Sequence, residues 1–349
     1  MPDLLPSLTS NPVRATARET VLFAFNDNPS ALFRPLFEPA KLPPMDHSWL
    51  ALSSLSRDEW ADALLTIKPT VLVTGWQARA IPEAFSRSKD FSLKYVCHLM
   101  GEVRSFIPRQ FIEQGLLVSN WGTAISHTIA EHAILLALGA LRCLPAWESH
   151  MSSQWSDRKD LPTRSLRGRR VGVHGFGAIG REVLGMLKGF GVHCGVYSHG
   201  VPAGLIEATG ARPFFSLEEM FAWCDIVIEC EALSPTNFQS VTESALKKLR
   251  PDTIFVNVGR GKIVDEEALA RVARQQGIRL ALDVFHTEPL PPDAEIRKVP
   301  HAIFSPHIAG PTQDAFPLLW HHAVSNLHKY FLGEEVDGKV TLDVFDRST

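Results

Sequence analysis

At 349 residues the chain is too long for one ordinary hydrophobic core, so two domains are expected. Hydrophobic residues make up 45% and charged residues 21%, the balance of a globular protein that folds in water rather than a disordered or fibrous one. A formal net charge of −3 excludes a broad basic surface, and with it nucleic acid or an anionic membrane as the expected partner.

In the first third, residues 21–25, 71–74, 93–97 and 116–119 have strand length and β-branched or aromatic content. Helical candidates at 57–66 and 108–114 separate them, and such alternation predicts a parallel sheet. Residues 123–144 read as one long, mostly apolar helix. The apolar run 130–143 inside it carries Glu131, His132 and Arg142, and no run reaches the roughly 18 residues of a membrane span. Residues 1–10 lack the pattern of a secretory signal. A polar stretch at 148–170, carrying Trp155, precedes a second and more regular alternation. Strands are predicted at 170–174, 193–198, 225–230, 253–258, 279–284 and 302–305, with helices at 182–189, 243–249 and 266–276. Six parallel strands with crossover helices describe a doubly wound nucleotide-binding domain. The tail 316–331 has helical periodicity and is followed by a short stretch at 340–343. Cys97, Cys143, Cys194, Cys224 and Cys230 form no C-x-x-C pair and lie in apolar surroundings, which predicts free thiols in a reducing cytoplasm.

Two sets of residues carry chemistry. Val171 to Gly180 runs from a strand into Gly175-Phe176-Gly177-Ala178-Ile179-Gly180 and on into a helix. Gly175 suits a tight turn, Gly177 a close backbone approach to a pyrophosphate, and Gly180 close helix–strand packing, with the helix N-terminus facing the phosphates. An acid is expected about 20 residues on, at the end of the second strand, for the adenosine ribose. That strand ends instead Tyr197-Ser198-His199-Gly200, and residues 183–206 contain no Asp or Glu. Without that carboxylate NADP is as open as NAD; His199 can donate one hydrogen bond, but no arginine follows to clamp a 2′-phosphate.

The second set is Arg260, Glu288 and His307, each just beyond a predicted strand of the same sheet, where ligands of open α/β sheets bind. Taken singly, each reads more simply as a surface charge, a loop acid or a satisfied polar residue. Together they are what reduction of a ketone acid requires. The guanidinium forks onto a carboxylate, the imidazolium protonates the new alkoxide, and the carboxylate holds that imidazolium charged. His127, His132 and His174 keep a structural reading. His127 to His132 is one residue too long for the H-x-x-E-H zinc signature, so no metal is expected.

With these residues in place the chain resembles the D-isomer-specific 2-hydroxyacid dehydrogenases, most strongly over 125–312. Ile129-Ala130-Glu131-His132, the glycine fingerprint, Val256 to Gly261, Leu282 to Phe285 with Glu288-Pro289, and Ser305 to Gly310 carry the resemblance. It implies two doubly wound parallel-sheet α/β domains, with a Rossmann cofactor domain (121–311) inserted into a flavodoxin-like substrate domain (1–120 and 312–349). It also implies a homodimer acting on a small 2-oxo or 2-hydroxy acid. Arg260 becomes the substrate anchor, His307 the acid/base, Glu288 its partner, and Asp283 the holder of the nicotinamide carboxamide. The expected cofactor-lining set is Gly175, Gly177, Ala178, Ile179, Gly180, Ser198, His199, Ala232, Asn237, Val258, Gly259, Arg260, Asp283, His307 and Gly310. Substrate contacts are expected from Met100, Gly101 and Arg104 besides Arg260 and His307.

The chain departs from the family pattern in two places. A His-x-Pro segment is replaced by Cys230-Glu231-Ala232, with Asn237 where a threonine is usual, so Glu231 alters the adenosine surroundings. A Gly-x-Asp loop is replaced by Gly101-Glu102-Val103-Arg104, where Arg104 is either a second cation for a larger or dianionic substrate or a solvated loop charge. Trp76 and His98 line the same region or pack in the core. The same scaffold also serves nicotinamide-sensing corepressors and formate or phosphite dehydrogenases, which are the competing readings.

Overall fold

A computed structural model describes residues 19–26, 33–38, 45–89, 91–153 and 161–347. Residues 1–10 and Trp155 lie outside the described residues. The chain divides into two compact units, Met1–Gly122 with Pro317–Leu342, and Thr123–Phe316 with Asp343–Thr349.

The first unit is a five-stranded parallel sheet of β1 (Thr20–Phe25), β2 (Asp46–Ala51), β3 (Val71–Thr74), β4 (Tyr95–His98) and β5 (Leu117–Ser119). Their order, β2-β1-β3-β4-β5, is flavodoxin-like. β1, β3 and β4 are buried almost end to end, as strands covered on both faces must be. The helix Arg57–Ile67 starts at a capping box: Ser56 Oγ accepts from Glu59 N, and Glu59 accepts from Ser56 N. Phe23 stacks on Trp49 at 4.6 Å, and Trp320 from the tail helix Phe316–Leu332 joins the same aromatic cluster. Asn326 of that helix is fully buried and satisfied: its amide donates to Asp337 O at 2.9 Å and its oxygen accepts from Asp337 N at 2.8 Å. This pair and the antiparallel bridge Ser119–Lys339 explain why the tail folds with the first unit.

The second unit is a seven-stranded parallel sheet in the order β12-β11-β10-β9-β6-β7-β8. Its strands are β6 (Arg170–His174), β7 (His193–Tyr197), β8 (Arg212–Pro213), β9 (Ile226–Glu229), β10 (Ile254–Asn257), β11 (Arg279–Leu282) and β12 (Ile303–Phe304). The six predicted strands are all present, and β8 adds a seventh at one edge. Successive residues feed opposite cores: Ile254 and Val256 belong to one apolar cluster, Phe255 and Leu280 to the other. That alternation between two dry layers is the doubly wound arrangement. The helix Glu266–Gln276 matches its predicted bounds because both ends are chemically marked. Asp265 caps Ala268 N at 3.0 Å, Glu266 and Glu267 occupy the first turn, and Gly277 closes it at φ 68°.

The long helix predicted at 123–144 is two helices, Ser126–Leu141 and Leu144–Ser153, and is corrected on that point. Between them Cys143 is left-handed at φ 58°. Pro145 supplies the reason: it has no N–H to return to Leu141, so the first helix cannot run on through it. All five cysteines are free. Burial raises the Cys97 thiol to about 11 and the Cys224 thiol to about 12, so neither is a thiolate at neutral pH.

Candidate active site

The glycine fingerprint joins β6 to the helix Ala178–Leu187, and the three glycines do different jobs. Gly175 sits at φ 102°, and a Cβ there would lie 2.8 Å from Glu231 Cα. A Cβ on Gly180 would lie 2.2 Å from Gly175 O, so that glycine lets the helix close against the turn. Gly177 caps the helix, and a Cβ there would meet nothing within 4 Å. The space above Gly177 is therefore open, while its neighbours are held by contact. Backbone N–H groups beside that opening suit a pyrophosphate, and the turn fits a dinucleotide.

Arg260, Glu288 and His307 follow β10, β11 and β12, which are neighbours in the sheet, so one edge of the unit gathers all three. Asn257, buried at the end of β10, shapes the Arg260 turn by accepting from Gly259 N at 3.0 Å. A Cβ on Gly261 would run to 1.9 Å from the Phe285 carbonyl carbon, so the β10 and β11 loops touch there. Arg260 Nη1 donates to Gly259 O at 2.8 Å. Glu288 Oε1 accepts from Phe285 N at 2.9 Å, and its Oε2 lies 2.6 Å from His307 Nδ1. Burial acts to raise the Glu288 carboxyl, but the His307 and Phe285 hydrogen bonds and the charges of His307 and Arg260 outweigh it and hold the group below its usual range. Glu288 is therefore an anion, Nδ1 carries the proton of the bond, and Nε2 is left for chemistry. The pair is partly open to solvent, with the His307 and Glu288 side chains 49% and 35% exposed.

His307 is held in a costly left-handed conformation, φ 54°, and its N–H donates to Asp283 O at 2.9 Å. Asp283 is the centre of this loop. Its Oδ1 accepts from Ser305 Oγ at 2.5 Å and Ile308 N at 2.9 Å, and its Oδ2 accepts from Ala309 N at 3.0 Å. Ser305 has one proton and gives it to Asp283, so His132 Nε2, 3.0 Å away, donates to Ser305 Oγ. Burial works against ionisation of Asp283, yet the hydrogen bonds from His132, Ser305, Ile308 and Ala309 keep its carboxyl lowered. The resemblance gives Asp283 a cofactor contact. The structure buries the side chain completely, and both oxygens accept from the loop that presents His307. His132 and Ser305 were not singled out for this work; the one sequence clue was their position inside the motifs at 129–132 and 305–310.

The adenosine side of the fingerprint is built differently. Ser198 Oγ donates to Glu231 Oε2 at 3.1 Å, and Glu231 N donates to Glu229 Oε1 at 2.9 Å. Glu229 Oε2 lies 2.5 Å from His174 Nδ1 in a fully buried pair. Burial would lower His174, but the Glu229 charge and hydrogen bond, with Glu231 adding, raise it instead. Asn237 orders the next loop by donating to Ala232 O at 2.7 Å, and Val258 N and Gly259 N both donate to Glu229 O. Gly310 packs against Ile129, where a Cβ would come to 2.9 Å. His199 is exposed beyond Ser198.

In the first unit, Met100 is buried and Gly101 faces the Trp121 ring, 2.7 Å from where its Cβ would be. Asn120 Nδ2 donates to Gly101 O at 2.7 Å, and Glu102 accepts from Ser105, so the Gly101–Arg104 loop is anchored at both ends. His98 is a core histidine: it meets Thr74 Oγ1 at 2.8 Å, and burial pushes it down to about 3. Trp76 is partly exposed.

The sheet order and the glycine turn are those of a dinucleotide-binding α/β fold. Residues 134–309 match the family model described as D-isomer specific 2-hydroxyacid dehydrogenase, NAD binding domain, and the chain belongs to that family. It is 30% identical over 231 residues to the D-3-phosphoglycerate dehydrogenase of Mycobacterium leprae, a match covering 66% of this chain and 43% of that protein. It thus spans less than half the length of that relative. A glyoxylate/hydroxypyruvate reductase of Arabidopsis thaliana is 28% identical over 233 residues, covering 66% of this chain and 71% of that one. A glyoxylate reductase structure from Paecilomyes thermophila superposes with a TM-score of 0.75 at 21% identity, over 93% of this chain and 99% of that chain, a likeness of fold.

Proposed function

We propose that the chain reduces small 2-oxo acids to 2-hydroxy acids, using NADH or NADPH as hydride donor. The observation that carries this is the 2.6 Å His307–Glu288 pair beside Arg260, beyond three adjacent strands of a sheet that also bears the glycine fingerprint. The reduced nicotinamide supplies a hydride to C2 of the acid. Arg260 binds the carboxylate and carbonyl oxygen with its planar fork, which fixes the ketone and draws charge toward its oxygen. His307 delivers the Nε2 proton to that oxygen as it becomes an alkoxide, and Glu288 keeps the ring oriented and charged until then. Asp283, Ser305 and His132 position the loop.

On this reading the second unit is the cofactor domain and the first is the substrate domain. The homodimer follows from the family resemblance, and the cytoplasmic setting from the five free thiols. No described helix is long and apolar enough to cross a membrane. Following NADH and NADPH absorbance with glyoxylate, hydroxypyruvate and longer 2-oxo acids tests the reading. Oxidation with at least one acid is expected. Protein that binds nicotinamide tightly yet oxidises neither cofactor with any of them would end it.

A further inference from the structure

The end of β7, where a dinucleotide domain ordinarily carries its ribose-binding acid, holds Ser198. A carboxylate nevertheless reaches that place from the next strand over. Glu231 follows β9, and its backbone lies against the glycine turn: a Cβ on Gly175 would be 2.8 Å from Glu231 N and from its Cα. Its side chain turns toward β7, where Oε2 accepts from Ser198 Oγ at 3.1 Å, while Oε1 accepts from Ala232 N at 3.2 Å. The carboxylate therefore spans the gap between the glycine turn and the end of the second strand of the Rossmann order.

We infer that Glu231 is a relocated ribose-recognition acid, accepting from the adenosine 2′- and 3′-hydroxyls and excluding a 2′-phosphate, so that the protein selects NADH over NADPH. This rests on the nicotinamide reading above and sharpens it. Three features support it. Glu231 is only half-buried, so its oxygens can still meet a ligand. Its backbone is tied down by Glu229 Oε1 at 2.9 Å, and Glu229 is itself locked to His174 at 2.5 Å, so the carboxylate is held rather than swinging in solvent. The charge of buried Glu229 is offset by the His174 imidazolium, and Glu231 remains as the negative group facing the ribose position. The loop after Ser198, from His199 to Leu205, contains no lysine or arginine to receive a phosphate. Two like charges about 5 Å apart at a protein surface repel enough to weaken binding on the order of tenfold to a hundredfold.

The test is direct binding of NADH and NADPH, read by nucleotide fluorescence or calorimetry without substrate, on wild type, Glu231→Gln and Ser198→Ala, with thermal melts as the folding control. Wild type is expected to bind NADH at least about tenfold more tightly than NADPH. Glu231→Gln should shrink that ratio toward unity, chiefly by weakening NADH and relieving NADPH, and Ser198→Ala should shrink it partly. Wild type binding NADPH as tightly as NADH would overturn the inference while leaving the oxidoreductase reading intact. So would a natively melting Glu231→Gln with an unchanged ratio. If neither nucleotide bound, both would fall together.

Discussion

Replacing Glu288 with Gln keeps the side-chain shape and can still accept the Nδ1 proton, but it removes the charge that faces His307. Two unit charges about 4 Å apart interact by about 4 kcal/mol at the effective dielectric of a protein surface. This pair is 49% and 35% exposed, so water screening lowers the share that reaches catalysis to about 1–2 kcal/mol. Each 1.36 kcal/mol is about a factor of ten, so kcat for 2-oxo acid reduction should fall by about five- to thirtyfold. Steady-state rates, beside melting curves and nucleotide affinities of the same preparations, give the answer. Native melting and binding with an unchanged kcat would refute the assignment of Glu288 as the charged partner of His307.

His307→Ala should lose at least about a hundredfold in reduction rate with NADH affinity kept, the usual scale for removing a general acid; wild-type rates would show the residue misassigned. Arg260→Lys should raise KM for the acid as well as lower kcat, since an ammonium cannot fork, and kinetics of the two proteins on one substrate decide it. Gly177→Ala and Gly180→Ala should part company. The first meets nothing within 4 Å and should melt normally while binding nucleotide poorly, whereas the second collides with Gly175 O at 2.2 Å and should lose stability by about 1–3 kcal/mol, read from denaturant midpoints. Asp283 has a lowered carboxyl, so its stabilisation is present above the unfolded-state value of about 3.9 and is lost as pH falls through the folded-state value. Acid unfolding of Asp283→Asn should accordingly depend less on pH than that of wild type.

What could be read from the sequence was what local chemistry marks. The fingerprint glycines are dictated by contacts a Cβ would break, and helix Glu266–Gln276 is bounded by an acid cap and a left-handed glycine. The strands that escaped notice are at sheet edges. β2 reads Asp46-His47-Ser48-Trp49-Leu50-Ala51 and is only partly buried, so it lacks the apolar run that betrays a central strand. β8 is two residues long and contains Pro213, tolerable at an edge where no further ladder bond is needed. The triad of Arg260, Glu288 and His307 was legible because each follows a strand that the apolar pattern marks. The Asp283–Ser305–His132 relay was not, since it joins residues 173 positions apart through hydrogen bonds that no spacing rule encodes. Glu231 stood out as an oddity in sequence, but its bond to Ser198 depends on β6 lying between β7 and β9.

The most direct measurement follows the hydrogen itself. NADH carrying deuterium at both C4 positions, incubated with the protein and an accepted 2-oxo acid, should yield a 2-hydroxy acid with one deuterium on C2 by mass spectrometry or NMR. A product formed with protium at C2, or cofactor oxidised with no 2-hydroxy acid formed, would contradict hydride transfer at this site.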